Sequence, residues 1–177
     1  MMPTQDLDSL LAELAATPHP EGRGLVVWQG PCREEWQDYN GHMNETFYLQ
    51  VMSWGTDRLM ELIGCGPAYR EGGSGTLYTL ESHIRYLTEV KIGTPLTVTA
   101  QIFERDAKRF RLYMRLYAGQ AERPSATGEF LQLHVAGTPP RSAPFAAPMP
   151  ALLEALARRQ AGMPAPADAG RGIRLKQ

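Results

Sequence analysis

From Thr76 to Val90 the side chains alternate, with Tyr78, Leu80, Ser82, Ile84 and Tyr86 on one face and Thr79, Glu81, His83, Arg85 and Leu87 on the other. A period of two predicts a long, half-buried strand. Three more such stretches follow, Pro95 to Phe103, Arg109 to Ala118 and Ser125 to Ala136, and an earlier one runs from Leu25 to Cys32. Gly93-Thr94-Pro95, Arg105-Asp106-Ala107-Lys108 and the stretch from Gly119 to Pro124 supply turns, so successive strands are expected to form an antiparallel meander.

Between the first strand and the others the periodicity becomes helical. Phe47, Tyr48, Leu49, Val51, Met52, Trp54, Leu59, Met60, Leu62 and Ile63 give the segment from Glu45 to Ile63 more apolar surface than one stripe needs. A helix buried on most sides is the expectation. Asn44 suits its N-cap, Glu45 the first turn, and Gly64 a left-handed C-cap. The glycine-rich stretch from Gly66 to Gly75 reads as a flexible connection. Asp8 to Ala16 reads as a short helix before a linker with Pro18, Pro20, Gly22 and Gly24. Beyond Thr138, where proline and alanine dominate, only Ala151 to Gln160 reads as helical, and the rest of the tail is expected to drape over the domain or a partner. The economical α+β solution is a curved antiparallel β-sheet wrapped around one long central helix. Its expected division is a 1–24 extension, a 25–138 domain and a 139–177 tail.

Composition narrows the function classes. A chain of 177 residues is long enough for one domain with a substantial core. Its net charge of -1 gives no electrostatic case for nucleic acid or an anionic membrane surface. No apolar run approaches the roughly 18–20 residues that span a bilayer. Met1 to Asp6 holds no basic residue ahead of an apolar stretch, so no secretory signal is expected, and a cytoplasmic location is. Cys32 and Cys65 have neither metal-type nor redox-type spacing and read as reduced, buried thiols.

The chemistry concentrates in residues 36–44, Trp-Gln-Asp-Tyr-Asn-Gly-His-Met-Asn, immediately before the long helix. An acid, Asp38, lies close to unpaired N–H groups and the positive end of a helix dipole. That combination suits attack on a carbonyl, or its hydration. Gly41 permits a turn that a side chain would block. His42 has no second metal-type ligand nearby, so a metal site is not expected.

These residues resemble the hotdog-fold acyl-CoA thioesterases of the 4-hydroxybenzoyl-CoA thioesterase type over roughly Leu25 to Val135. Asp38, Asn40, His42 and Asn44 reproduce that family's acid and Asn/His/Asn cluster. The strings WQDYNGHMN (36–44), YTLESHIRYLTEVKIG (78–93), DAKR (106–109), GEFLQLHV (128–135) and GRGIRL (170–175) are similar to one branch. That branch holds betainyl-CoA thioesterases and the thioesterase domain fused to some carnitine dehydrogenases, which points to carnitine metabolism. The chain departs from the family where Glu45-Thr46-Phe47-Tyr48 replaces a usual Ala-Tyr-Tyr. It departs again where Met52-Ser53-Trp54-Gly55-Thr56-Asp57 stands for Phe-x-x-Ala-Thr-Asp.

The resemblance implies hydrolysis of a small acyl-CoA to a free acid and coenzyme A. Asp38 would be nucleophile or general base, with the helix start near Asn44 to Phe47 polarising the carbonyl. His42 would bond the substrate or orient the loop, and Asn44 would be both cap and site wall. Asn40, Glu45, Thr46, Phe47, Tyr48, Trp54 and Tyr78 are the expected substrate contacts. Tyr48, Trp54, Tyr78 and Tyr86 are aromatics of the kind a quaternary ammonium group favours. Lys108 and Arg109 are placed to meet the coenzyme A phosphates. Glu81 and His83, on one strand face, suit an interface contact or a supporting acid–base pair. No cofactor is expected beyond the coenzyme A of the substrate. A homodimer or dimer of dimers is expected, paired along the Thr76 to Val90 strand. Two alternatives stand beside this. One is a hotdog enoyl-CoA hydratase or dehydratase, whose motif has Gly before the Asp and Pro after the Asn where this chain has Gln37 and Gly41. The other is a non-catalytic acyl-CoA-binding module, against which the acid at 38 argues.

Overall fold

The computed structural model describes residues 6–173 and residue 175. Met1 to Gln5, read above for a secretory signal, and Arg174 of the GRGIRL string lie outside the described residues. In chain order the elements are α1 (Leu7–Ala16), β1 (Leu25–Pro31), a 3-10 turn (Glu34–Trp36), α2 (Glu45–Leu62), α3 (Pro67–Glu71), β2 (Thr76–Tyr86), β3 (Pro95–Arg105), β4 (Arg109–Ala118), β5 (Ala126–Ala136), β6 (Arg141–Ser142) and α4 (Met149–Arg159).

Five strands form one antiparallel sheet in the order β1-β3-β4-β5-β2, with the short β6 added to β5. The sheet curls around α2, giving the expected hotdog architecture. Strand order departs from a simple meander at one place. β2 pairs with β5 rather than with its neighbour β3, so residues 87–94 must carry the chain from one edge of the sheet to the other side. That crossover passes directly over the loop before α2, where Met43 N–H donates to Val90 O at 2.8 Å and Cys32 N–H to Thr94 O at 2.8 Å. It leaves β2 with a free outer edge.

A bulge in β2 also overturns the simple alternation. Register shifts between Thr79 and Glu81, leaving Leu80 as the extra residue. Every side chain before a one-residue slip changes face relative to those after it. Tyr78 therefore joins Glu81, His83 and Arg85 on the outer, convex face, while Ser82, Ile84 and Tyr86 face inward. β2 also stops at Tyr86 rather than Val90.

α2 begins and ends at the residues its sequence marks. Asn44 Oδ1 accepts the Thr46 N–H at 3.0 Å, and Gly64 follows the helix with φ +81°. The helix buries less than its composition suggests. Tyr48, Val51, Met52, Gly55, Leu59, Met60 and Leu62 are buried, whereas Glu45, Leu49, Ser53, Asp57 and Glu61, four residues apart, form an exposed stripe. The departure at Gly55 is a packing adjustment: a Cβ there would lie 2.9 Å from Val27 Cγ2, so the missing methyl lets α2 sit close on β1.

The stretch from Gly66 to Gly75, expected to be a flexible connection, contains α3 with Pro67 in its first turn. Tyr69 of α3 anchors a buried polar knot. Its hydroxyl lies 2.8 Å from His134 Nε2 and accepts the Ala146 N–H at 3.1 Å, while His134 Nδ1 lies 2.9 Å from Ala143 O. Nδ1–H donating and Nε2 accepting satisfies every group at once. Tyr69→Phe strands two of them, so urea unfolding is expected to show a loss of about 1–3 kcal/mol with an unchanged m-value.

α1 and α4 close the open end of the curl. Leu10 and Leu14, then Met149, Leu152, Leu153 and Leu156, are buried in the same core as α2. The tail lies across the convex face of the chain's own sheet, where Asp168 bonds the Tyr113 hydroxyl at 2.6 Å and pairs with Arg85, and Gly170 N–H reaches Glu129 Oε2 at 2.7 Å. Cys32 and Cys65 are buried free thiols. No helix among the described residues is long and apolar enough to cross a membrane.

Candidate active site

Residues 37–43 form a miniature hairpin. Gln37 and Met43 pair across it, Asp38 N–H donates to His42 O at 2.8 Å, and Gly41 N–H returns to Asp38 O at 3.1 Å. Gly41 has φ +82°, and a Cβ there would meet only the Gln37 Nε2 at an ordinary 3.5 Å, so backbone conformation rather than space requires glycine there. Asn44 N–H donates to Trp36 O at 2.9 Å, which fixes the angle between this hairpin and α2.

The turn orders the Asp38 carboxylate. Oδ1 accepts the N–H groups of Asn40 at 2.8 Å and His42 at 3.2 Å. Oδ2 has only a long contact of 3.5 Å to the Asn40 amide. One oxygen is thus structural and the other available. The His42 amide first, joined by the Asn40 groups, holds this carboxyl below its ordinary range against the opposing effect of burial, which is larger than either Asn40 bond alone. Asp38 is therefore ionised at neutral pH.

The first turn of α2 supplies the complementary donor. Asn44 takes Thr46 N–H on its side chain and Phe47 N–H on its carbonyl. Among the described residues, the Glu45 N–H has no acceptor. It is an orphan donor at the positive end of an 18-residue helix.

His42 Nε2 lies 3.4 Å from the Glu89 carboxylate. His42 Nδ1 is buried and has no partner among the described residues. Bonding at Nε2 orients the ring, and an Nε2–H donor leaves Nδ1 as an unpaired acceptor. Asp38, His42 and the orphan amide border a cleft of about 640 Å³. Asn40, Glu45 and Tyr48 line it from the loop and helix, and Tyr86, Leu87, Thr88 and Glu89 from the end of β2 and the crossover.

Several expected contacts lie elsewhere. Phe47 stacks on Trp36 with centroids 5.3 Å apart, and Trp54 packs against Trp36 at 5.9 Å and Trp28 at 5.8 Å. These rings form an aromatic cluster on the β1 side of α2. Trp54 lines a separate cavity of about 590 Å³ with Trp28 and Arg58. Thr46 is taken up by the cap, its hydroxyl 2.8 Å from Asn44 Oδ1. Tyr78 is on the convex face because of the bulge. Arg109 faces Leu133, which faces Tyr78, whereas the cleft lies at the Tyr86 end of β2. Within one chain Lys108 and Arg109 are therefore at the far end of the sheet from Asp38. Arg109 also bonds Asp106 through two nitrogens, and the Lys108 amide followed by that guanidinium holds the Asp106 carboxyl at about 2. Glu81 and His83 share the convex face, with His83 opposite Glu129. Glu89 and Thr88 are cleft-lining positions that periodicity hides, since they read as a continuation of β2.

The sequence model of the Thioesterase-like superfamily matches residues 32–156. The chain is similar to a betainyl-CoA thioesterase of Pseudomonas aeruginosa, 40% identical over 151 residues, covering 85% of this chain and 95% of that protein. It also matches an L-carnitine dehydrogenase/betainyl-CoA thioesterase of Rhizobium meliloti, 39% identical over 142 residues, covering 80% of this chain but 28% of the longer protein. Among solved structures, a Staphylococcus aureus protein in complex with CoA superimposes with a TM-score of 0.80 at 25% identity, covering 87% of this chain and 98% of that one. A Pseudomonas putida KT2440 structure does so with a TM-score of 0.75 at 37% identity, covering 87% and 98%.

Proposed function

Because this chain belongs to the Thioesterase-like superfamily and is an acyl-CoA thioesterase, we propose that it hydrolyses small acyl-CoA esters, betainyl-CoA foremost, in the Asp38 cleft. The observation that carries the reading is the pairing of an ionised, half-free carboxylate with an unsatisfied helix N–H at the mouth of one cleft. In this reading the thioester carbonyl oxygen accepts the Glu45 N–H, a donor whose loss typically costs about 3 kcal/mol of transition-state stabilisation. Asp38 Oδ2 then either attacks the carbonyl carbon, giving a mixed anhydride that water opens to free acid and Asp38, or takes a proton from water that attacks instead. In both routes coenzyme A leaves as the thiolate. His42 holds the loop, its ring tethered to Glu89 through Nε2. Asn44 keeps the amide in place. The name of the P. aeruginosa relative supports betainyl-CoA as the acyl group, and the chain needs no group beyond the coenzyme A of its substrate. A cytoplasmic location is part of the same reading.

The working unit in this reading is a homodimer formed along the free β2 edge. Tyr78 and Leu80 are 46% and 50% exposed on that strand in one chain, an aromatic and an aliphatic side chain of the kind a partner covers. Antiparallel pairing would bring each Asp38 cleft to the other chain's hairpin end, where Lys108 and Arg109 are available for the coenzyme A phosphates.

A panel of acyl-CoAs tests the substrate. Thiol release is expected with kcat/KM highest for betainyl-CoA and other short acyl groups, and lowest for palmitoyl-CoA. Preference for long chains would sink the small-acyl assignment. The pH profile tests the acid: the active form is ionised and its folded pKa is lowered below 3.8, so activity is present above that value and lost only as pH falls through the lowered one. An acid limb of kcat/KM between about 5 and 7 would transfer the rate-determining role to another group.

A further inference from the structure

In a 2-ammonio acyl thioester the positive charge sits one methylene from the carbonyl. Whatever borders the reacting carbonyl therefore borders the cation too. Around Asp38 the cleft carries two further carboxylates, Glu45 and Glu89, and none of its lining residues is Lys or Arg. His42 tethers Glu89 at the rim, although that side chain is 78% exposed. Tyr48 and Tyr86 meet edge to face, with centroids 5.2 Å apart and planes at 83°. Tyr48 is buried while Tyr86 is half exposed, so the pair presents ring surface to the cleft. Burial pushes the Tyr48 phenol up to about 12, which keeps the ring neutral and its face available to a cation.

Resting on the thioesterase reading of this cleft, we propose that Tyr86, backed by Tyr48, together with Glu89 and Glu45, selects acyl groups bearing a fixed positive charge. Packing needs only an apolar residue at 86; it does not need the two carboxylates that close on the same space. An exposed ion pair changes affinity by about two- to fivefold, and a cation over an aromatic face by about two- to thirtyfold as it is desolvated. Together these set an expected preference of roughly tenfold or more for a cationic acyl group over a neutral one of the same shape. Anionic acyl groups such as succinyl meet three carboxylates and are excluded.

The decisive pair of ligands is betainyl-CoA and 3,3-dimethylbutyryl-CoA, which differ by one nitrogen-for-carbon exchange and one charge. The same pair as non-hydrolysable thioethers, 2-(trimethylammonio)ethyl-CoA and 3,3-dimethylbutyl-CoA, reads binding by calorimetry independently of hydrolysis. The full-length protein is expected to prefer the cationic member of each pair by about tenfold or more. Tyr86→Leu and Glu89→Gln are each expected to lower that ratio by about threefold or more. Equal handling of both members, or a ratio that neither variant changes, overturns the proposal. Absence of thiol release from both esters would overturn the thioesterase reading instead, while the thioether ratio would still decide cation selection.

Discussion

Asp38→Asn is expected to lower kcat for thiol release by on the order of 10³-fold while leaving the fold and the assembly unchanged. The separation follows from how the carboxylate is divided. Oδ1 closes the hairpin by accepting from the Asn40 and His42 amides, and the carbonyl oxygen of an asparagine accepts those same bonds. Oδ2 has no strong partner within the protein, and replacing it with an amide nitrogen removes the charge, the nucleophile and the base together. Circular dichroism, the unfolding midpoint and sedimentation should match the parent protein. Asp38→Ala removes the turn acceptor as well and is expected to lose about 1 kcal/mol in addition to the activity. A large stability loss in Asp38→Asn would give the acid a structural role, and unchanged turnover would remove it from the chemistry.

Gly75→Ala is expected to cause a large loss of stability through a single methyl group. The residue opens β2 at φ +127°, and a Cβ there would lie 2.5 Å from both His134 Nε2 and Val135 O. Val135 O belongs to the neighbouring strand, and His134 is fixed from both ring nitrogens by Tyr69 and Ala143. Neither can retreat without breaking the buried knot. Backbone strain of about 1–3 kcal/mol and overpacking of about 1–3 kcal/mol add to roughly 2–6 kcal/mol. The thermal midpoint should fall by about 4–24 °C. Gly73→Ala is the control: its φ is similarly positive at +78° but a Cβ meets nothing within 4 Å, so only the conformational cost of about 1–2 kcal/mol applies. Equal losses in the two variants would show that the His134 contact carries no weight.

What could be read from the sequence was local. Asn44 and Gly64 mark the ends of α2 because cap geometry depends on single residues, and β4 is bounded as its alternation predicts because charged turns flank it. The Asp38 loop was legible for the same reason, as its acid, glycine and cap act within nine residues. What depended on distant partners was not. Nothing near Leu80 marks a bulge, yet that slip sends Tyr78 to the convex face. The pairing of β2 with β5 is a choice among strands of similar pattern, decided by how the crossover packs over Met43. Phe47 and Trp54 carry the composition of a substrate wall, but Trp36 claims Phe47, and Trp28 and Trp36 claim Trp54, from β1 and the turn after it. Glu89 reads as the polar end of a strand, and only its place beside His42 brings it to the cleft.

Incubation of the protein with betainyl-CoA, with free thiol and free betaine measured together over time, tests the central claim most directly. The account predicts thiol and betaine released one for one in many turnovers by the parent protein and in almost none by Asp38→Asn. Release at an undiminished rate by the variant, or stable binding of the ester by the parent protein with no thiol released, would contradict it.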